Sequence, residues 1–113
     1  MNNVIETKSF NFAVRIVNLY KFLCEKNEFV MSKQLLRCGT SIGANVSEAQ
    51  KAQTHSDFNA KMNIALKEAN ETSYWLRLLK HTDYLSDTAY ASIFEDIKEI
   101  LALLTSICKK TNT

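Results

Sequence analysis

Hydrophobic residues recur at helical spacing along nearly the whole chain, and this pattern predicts four helices, over residues 9–26, 32–53, 56–81 and 86–110. Each helix has a candidate N-cap with a short side-chain oxygen: Ser9, Ser32, Thr54 or Ser56, and Ser86. The connections are short, so consecutive helices are expected to pack antiparallel. The predicted fold is all-α, with one domain over residues 1–113 built as an up-and-down antiparallel four-helix bundle.

The apolar faces are wide on the first and fourth helices. The first helix has two adjacent stripes that together span about 220°: Phe10, Ala13, Val14, Val17 and Cys24, and then Phe12, Ile16, Leu19, Tyr20 and Leu23. The fourth spans about 180° around a seam of Tyr90, Ile93, Phe94, Ile97, Leu101, Leu104 and Cys108. The third has a coiled-coil-like seam and, beside it, a second strip: Phe58, Met62, Ala65, Ala69, Thr72, Leu76 and Leu79, flanked by Glu68, Glu71, Trp75 and Leu78.

These wide faces predict an oligomer. One bundle seam covers only about half of the arc that the first and fourth helices present. Apolar surface left exposed favours aggregation, whereas a homo-oligomer buries it. The alternative is that Tyr20, Trp75 and Tyr84 only cover the ends of the bundle.

The second helix contains two glycines, Gly39 and Gly43, on one side. A glycine in a helix interior costs about 0.5–1 kcal/mol relative to alanine. Two of them indicate that the backbone of a neighbouring helix approaches closely, the alternative being that they are merely tolerated.

A polar stripe runs along the same helix beside its core positions. It consists of Gln34, Arg37, Ser41, Asn45 and Glu48, which fall within an arc of about 80°. The adjacent apolar positions are Leu35, Cys38, Ile42, Val46 and Ala49. Short polar and charged groups suit a half-buried face, because buried polar groups must find partners. The polar stripe therefore indicates an interface rather than a reaction centre.

Arg37 and Glu48 are too far apart to pair, at roughly 16 Å along one helix, so each must reach another helix or subunit. Glu68 and Glu71 are the expected partners of Arg37, since arginine favours bidentate bridges to carboxylates. The serine and the asparagine of the polar stripe could bond across the seam. Replacing Arg37 by alanine should cost about 2–4 kcal/mol if it leaves a buried glutamate unpaired.

Composition favours long helices and a cytoplasmic location. The 113 residues include no proline and two glycines. No apolar run approaches the roughly 18 residues of a membrane span, and the N-terminus lacks the order of a signal peptide. The three cysteines, Cys24, Cys38 and Cys108, lie on apolar faces without a CxxC or Cys/His pairing, and are expected to be buried free thiols.

The chain offers little for catalysis or metal binding. A di-metal bundle site needs Glu-x-x-His pairs on two helices, and neither His55 nor His81 has a glutamate three residues before it. A nucleophile at Ser41 would need a base, and no histidine lies within reach along the helix. We expect a non-enzyme without a metal or a cofactor.

Sequence patterns in the second and third helices point to a family. The second helix reads Ser41-Ile42-x-x-Asn45-Val46-x-Glu48-Ala49, preceded by Gln34 and Arg37, and the third has Phe58, Ile64, Ala65, Leu66, Glu71 and Leu76. Together they resemble the four helix bundle protein family, encoded in intervening sequences of bacterial 23S ribosomal RNA genes. The resemblance implies a left-handed up-and-down bundle that assembles as a pentameric ring or barrel, in a family whose biochemical role is not established.

Two functions are therefore open. The first is a non-enzymatic, homo-oligomeric, pentameric scaffold or adaptor. The second is a nucleic-acid-binding accessory protein, by analogy with a related bundle protein of diversity-generating retroelements. Its candidate residues are Lys33, Arg37, Lys51, Lys61 and Lys67, which belong to a segment with 11 basic and 6 acidic residues (8–80) in a chain of net charge +2. Lysines on exposed helix faces are more often only solvating, and this region lacks interleaved aromatic residues.

Overall fold

Residues 3–112 are described by the computed structural model and form four α-helices: α1 (Val4–Glu25), α2 (Met31–Ala49), α3 (His55–His81) and α4 (Asp87–Thr111). Helices that follow one another in the chain pack side by side, and α4 returns beside α1, less closely. The bundle measures 44 × 21 × 20 Å. The prediction of an all-α four-helix bundle is confirmed. Within this part of the chain, no helix combines the length and hydropathy needed to cross a bilayer.

The start of α1 differs from the prediction. The helix begins at Val4, and the Asn3 side chain caps it by accepting a hydrogen bond from the Glu6 amide at 3.2 Å. Ser9 lies inside the helix, fully buried, and its hydroxyl donates to the Glu6 carbonyl. The expected cap at Ser9 was wrong because buried Ile5 extends the core face one turn upstream.

The start of α2 depends on a glutamate instead of the expected serine cap. The buried Glu28 carboxylate accepts hydrogen bonds from the amides of Met31 (2.9 Å) and Ser32 (2.8 Å), while the Ser32 hydroxyl donates back to the Glu28 carbonyl at 2.7 Å. Burial alone would raise the pKa of Glu28. The hydrogen bonds from the backbone amides of Met31, Ser32 and Val30 outweigh that effect and lower the pKa below its usual range.

The end of α2 also differs, because the helix stops at Ala49 instead of continuing to residue 53. The amides of Lys51 and Ala52 bond to carbonyls three residues back, which is the tighter geometry of a turn. Later helix starts use expected caps. Thr54 accepts from the Asp57 amide at 3.0 Å, and Ser86 from the Ala89 amide at 3.1 Å.

The turns after α1 and after α3 share one geometry. Asn27 (φ 63°) and Asp83 (φ 68°) adopt the left-handed backbone conformation, which short polar residues tolerate better than most. In each turn the next amide donates to a carbonyl five residues back: Glu28 to Leu23 and Tyr84 to Leu79, both at 2.9 Å. Both helices therefore end in a Schellman-type turn.

The core occupies the expected seams of α2 and α3, and it uses only one of the two stripes of α1. Phe12, Ile16 and Leu23 of the second stripe are buried. In the first stripe, Phe10 is 68% exposed and Val14 is 47% exposed. Part of the first stripe, at Phe10 and Val14, is thus left on the surface of the single chain, while its other residues are half-buried.

The two glycines of α2 face α1. A Cβ at Gly39 would lie 2.8 Å from Ile16 Cγ1, and one at Gly43 would lie 3.1 Å from the Ser9 carbonyl oxygen. The expected close approach is present, and its partner is the backbone and core face of α1.

Candidate functional site

The first part of the polar stripe reaches across to the outer edge of α3. The Arg37 guanidinium donates to the Glu68 carboxylate at 3.1 Å and, through its other terminal nitrogen, to Glu71. Its Nε donates to the Gln34 side-chain oxygen at 3.3 Å. The guanidinium therefore spans two carboxylates on successive turns of α3, instead of making a bidentate bridge to one.

Trp75 completes this group, which we call the Arg37 cluster: Arg37, Glu68, Glu71 and Trp75. The indole Nε1 donates to the Glu71 carboxylate at 3.0 Å. The side chain of Glu68 is 14% exposed, whereas that of Arg37 is 51% exposed. The predicted half-buried arginine thus lies nearer to solvent than its glutamate partner. Two carboxylates face one guanidinium, so the cluster carries one unit of excess negative charge.

The second part of the polar stripe behaves differently. The Asn45 side chain donates to the carbonyl (2.9 Å) and hydroxyl (3.0 Å) of Ser41, so these two residues bond within α2 and not across the seam. Their four-residue spacing on one helix face places them in reach of each other. Glu48 does contact another helix as expected: its carboxylate lies 3.5 Å from the ammonium of Lys61 on α3.

The residues beneath the Arg37 cluster are buried. Thr72 donates its hydroxyl to the Glu68 carbonyl at 2.8 Å. Burial raises the pKa of the Cys38 thiol, with a smaller opposing effect from the Thr72 hydroxyl. The thiol therefore remains neutral and packs as a small apolar group. All three cysteines are free; Cys38 and Cys108 are buried as expected, and Cys24 is only half-buried.

The residues proposed for nucleic acid do not form one set of available cations. Arg37 is paired with the two glutamates of its cluster, and Lys61 is close to Glu48. Lys33, Lys51 and Lys67 are exposed on α2, on the following turn and on α3.

Ion pairs between α1 and α4 were missed in the sequence. Arg15 donates to the Asp96 carboxylate at 2.6 Å and to the Ser92 hydroxyl at 2.9 Å, and Lys8 pairs with Glu99. A signal was present, because the two cations lie seven residues apart in α1 and their partners lie at spacings of four and three in α4.

A cavity of about 250 Å³ lies between these ion pairs. The apolar residues Phe12 and Ile100 are among those that line it, together with the four charged side chains of the pairs. The helices α1 and α4 are therefore joined by long polar side chains across an incompletely filled space.

Two further strips of exposed or half-buried residues lie on α1 and α3, and the second includes Glu71 of the Arg37 cluster. The α1 strip comprises Phe10, Val14, Val17 and Lys21, and the α3 strip comprises Ile64, Glu71, Tyr74 and Leu78. Large apolar side chains in both strips are open to solvent, including Ile64 at 42% and Tyr74 at 49%. Exposed apolar residues at helical spacing are typical of a surface that packs on another helix.

Residues 1–106 match the model of the 23S rRNA-intervening sequence protein family. The chain belongs to this family. The match includes the polar stripe, both exposed strips and most of α4, so it covers the whole candidate site. No curated protein sequence matches the chain.

A solved structure supports the same assignment. It is the crystal structure of a protein of unknown function from the S23 ribosomal protein family of Bacteroides thetaiotaomicron, which is 63% identical to this chain. The two superpose with a TM-score of 0.91, over 94% of this chain and 99% of that one. The family membership is therefore clear, while the function of the family is unknown.

Proposed function

We propose that this protein is a non-enzymatic homo-oligomer, with the pentamer as the expected ring, that serves as a cytoplasmic scaffold or adaptor. The observation that carries the proposal is the exposed α1 strip, where Phe10 is 68% and Val14 is 47% exposed although a second, separate stripe of α1 already forms the core. Burial of a large apolar side chain contributes about 1.5–3 kcal/mol. A few such residues in each copy can therefore stabilise assembly. The resemblance described above supplies the ring size.

The polar groups support a structural role. In the Arg37 cluster each charged side chain is already bonded to another member of the cluster. Among the described residues, every buried side-chain nitrogen or oxygen has a hydrogen-bond partner. Such a saturated network suits the fixing of helix register better than the capture of a small ligand.

Size-exclusion chromatography with light scattering at micromolar concentration tests the proposal. We expect a particle of five times the 12.9 kDa chain mass. Phe10→Ser should shift it towards smaller species without unfolding the monomer, because that side chain is mostly exposed. Phe29→Ser is the matched control, since Phe29 is also exposed (50%) but lies outside both strips.

A stable 12.9 kDa particle for the unmodified protein would overturn the proposal. Equal effects of the two serine variants would show that the α1 strip is not the assembly surface. RNA binding that weakens steeply with salt would favour the nucleic-acid alternative instead.

A further inference from the structure

We propose that assembly is head-to-tail, with the α1 strip of one copy packed against the α3 strip of the next. The inference rests on the proposed function and names the surfaces through which it operates. The occupant of each strip is thus a second copy of this chain.

The α1 strip contains a cation within an apolar surface. Lys21 follows Val17 by one turn and Val14 by two turns, on the same face of the helix. Lys21 is exposed, and within residues 3–112 it has no ion-pair partner. A lysine in this position can cover apolar neighbours with its stem and still offer its ammonium to a carboxylate.

The α3 strip contains the complementary charge. Glu71 lies two turns after Ile64 and two turns before Leu78. Its side chain is 34% exposed, and it shares the single guanidinium of Arg37 with Glu68. One of the two carboxylates that share Arg37 is therefore located in the middle of the α3 strip.

The spacing of the two strips gives a register. Seven residues separate Val14 from Lys21 and also Ile64 from Glu71. Since α1 and α3 run in the same direction within the bundle, a rotational ring of upright copies brings them together in parallel. Parallel packing with Val14 beside Ile64 also places Lys21 beside Glu71.

The two strips differ in sequence and lie on different helices, which makes the contact heterologous. A heterologous contact leaves one free strip at each end of every partial assembly, until the rotation closes a ring. A symmetric dimer would instead pair each strip with itself, which leaves Lys21 without Glu71 as its partner.

Cysteine cross-linking tests the arrangement. Under mild oxidation the double variant Val14→Cys/Ile64→Cys should give a ladder of covalent species on a non-reducing gel, up to the size of the ring. Either single variant should give at most the background of the unmodified protein with its three native cysteines. Both positions are exposed in the single chain, so each copy should keep its helical fold, which far-UV circular dichroism checks.

The other outcomes separate the possible failures. Covalent dimers from Val14→Cys alone, or a ladder from Val14→Cys/Leu78→Cys in place of Val14→Cys/Ile64→Cys, would overturn this inference. An oligomer by light scattering that gives no ladder would also overturn it and leave the proposed function standing. A monomer by light scattering would overturn both.

Charge reversal provides an independent measurement. Lys21→Glu should raise the concentration at which the oligomer half-dissociates by at least about tenfold, because it places two carboxylates together. Lys98→Glu is the control, since Lys98 is an exposed lysine of α4 outside both strips. Equal shifts for the two variants would contradict the predicted pair.

Discussion

The two flanks of α1 show two ways of holding a helix in one bundle. Towards α2, the helices lie so close that neither Gly39 nor Gly43 has room for a side chain of its own. The Ile16 side chain fills the space next to Gly39, and the Ser9 carbonyl lies next to Gly43. Towards α4, Arg15 and its neighbours reach across a cavity of about 250 Å³. The first flank depends on shape and the second depends on charge.

The difference follows partly from chain topology. A turn connects α1 directly to α2, whereas α1 and α4 are the first and last helices and are joined only by side chains. Close-packed contacts respond strongly to a change of one methyl group, while half-exposed ion pairs contribute little and are screened by salt. We therefore expect the stability of α1 to depend mainly on its α2 flank.

The largest effect should come from adding one methyl group to that flank. In Gly39→Ala, the new Cβ would be 2.8 Å from Cγ1 of the fully buried Ile16, so the core must shift. Alanine gains about 0.5–1 kcal/mol as a helix former, but overpacking costs about 1–3 kcal/mol. We expect a net loss of about 1–2 kcal/mol in the free energy of unfolding, measured by urea denaturation.

The control for this experiment is a double variant in which the facing residue, Ile16, is made smaller to accommodate the added methyl group. Combining Gly39→Ala with Ile16→Ala removes the three Ile16 atoms that lie within 3.1 Å of the added methyl group. The double variant should be less destabilised than the sum of the two single variants. Additive effects would mean that the two residues do not compete for space.

The next effect concerns the junction of the α1–α2 hairpin. In Glu28→Gln, the amides of Met31 and Ser32 lose a charged acceptor, which should cost about 1–2 kcal/mol at pH 7. Because the pKa of Glu28 is lowered by folding, this contribution is complete above about pH 4.3, the unfolded value. It is lost as the pH falls through the lower pKa of the folded state.

Urea denaturation at pH 7 and at pH 3 checks the sign. The difference in the free energy of unfolding between Glu28→Gln and the unmodified protein should be smaller at pH 3 than at pH 7. Glu25→Gln is the control at the exposed end of α1, and it should leave stability nearly unchanged. A gap that widens on acidification would show that the carboxylate does not cap α2.

Two arginine bridges provide the third test. Arg37→Met should cost about 1 kcal/mol, because Arg37 is 51% exposed. The roughly 2–4 kcal/mol expected from the sequence was for Arg37→Ala, on the condition that a buried glutamate is left unpaired. Arg15→Met should cost about 0.5 kcal/mol, since both partners of that bridge are more than one-third exposed. Added salt should reduce the Arg15 effect more than the Arg37 effect, because Glu68 is mostly buried.

Much of the fold was predictable, because it depends on periodicity. The seams of α2 and α3 follow from apolar spacing alone. The start of α1 and the capping residue of α2 were missed because they depend on competition among possible caps. Asn3 and Glu28 each accept a hydrogen bond from the backbone amide three residues later. Several residues near each helix start have side chains that can accept in this way, so the sequence does not single out the one that does.

For the candidate site, the sequence predicts only which face of its helix each residue occupies. The contact of Arg37 with Glu68 and Glu71 follows from the placement of the three residues on facing helix edges. Spacing alone does not show how deeply a side chain is buried, nor which of two apolar stripes on α1 enters the core. Both depend on the angle at which a helix meets its neighbours.

The smallest effect should come from placing a glycine in the turn that joins α1 to α2. Asn27 holds a left-handed conformation (φ 63°) that glycine adopts without steric cost. Asn27→Gly should therefore raise the free energy of unfolding by a few tenths to about 0.5 kcal/mol, while Asn27→Ala should lower it by about 1 kcal/mol. Asp83→Gly, in the matching turn after α3, should behave like Asn27→Gly. A neutral Asn27→Ala would show that the left-handed conformation at this position does not limit the stability of the turn between α1 and α2.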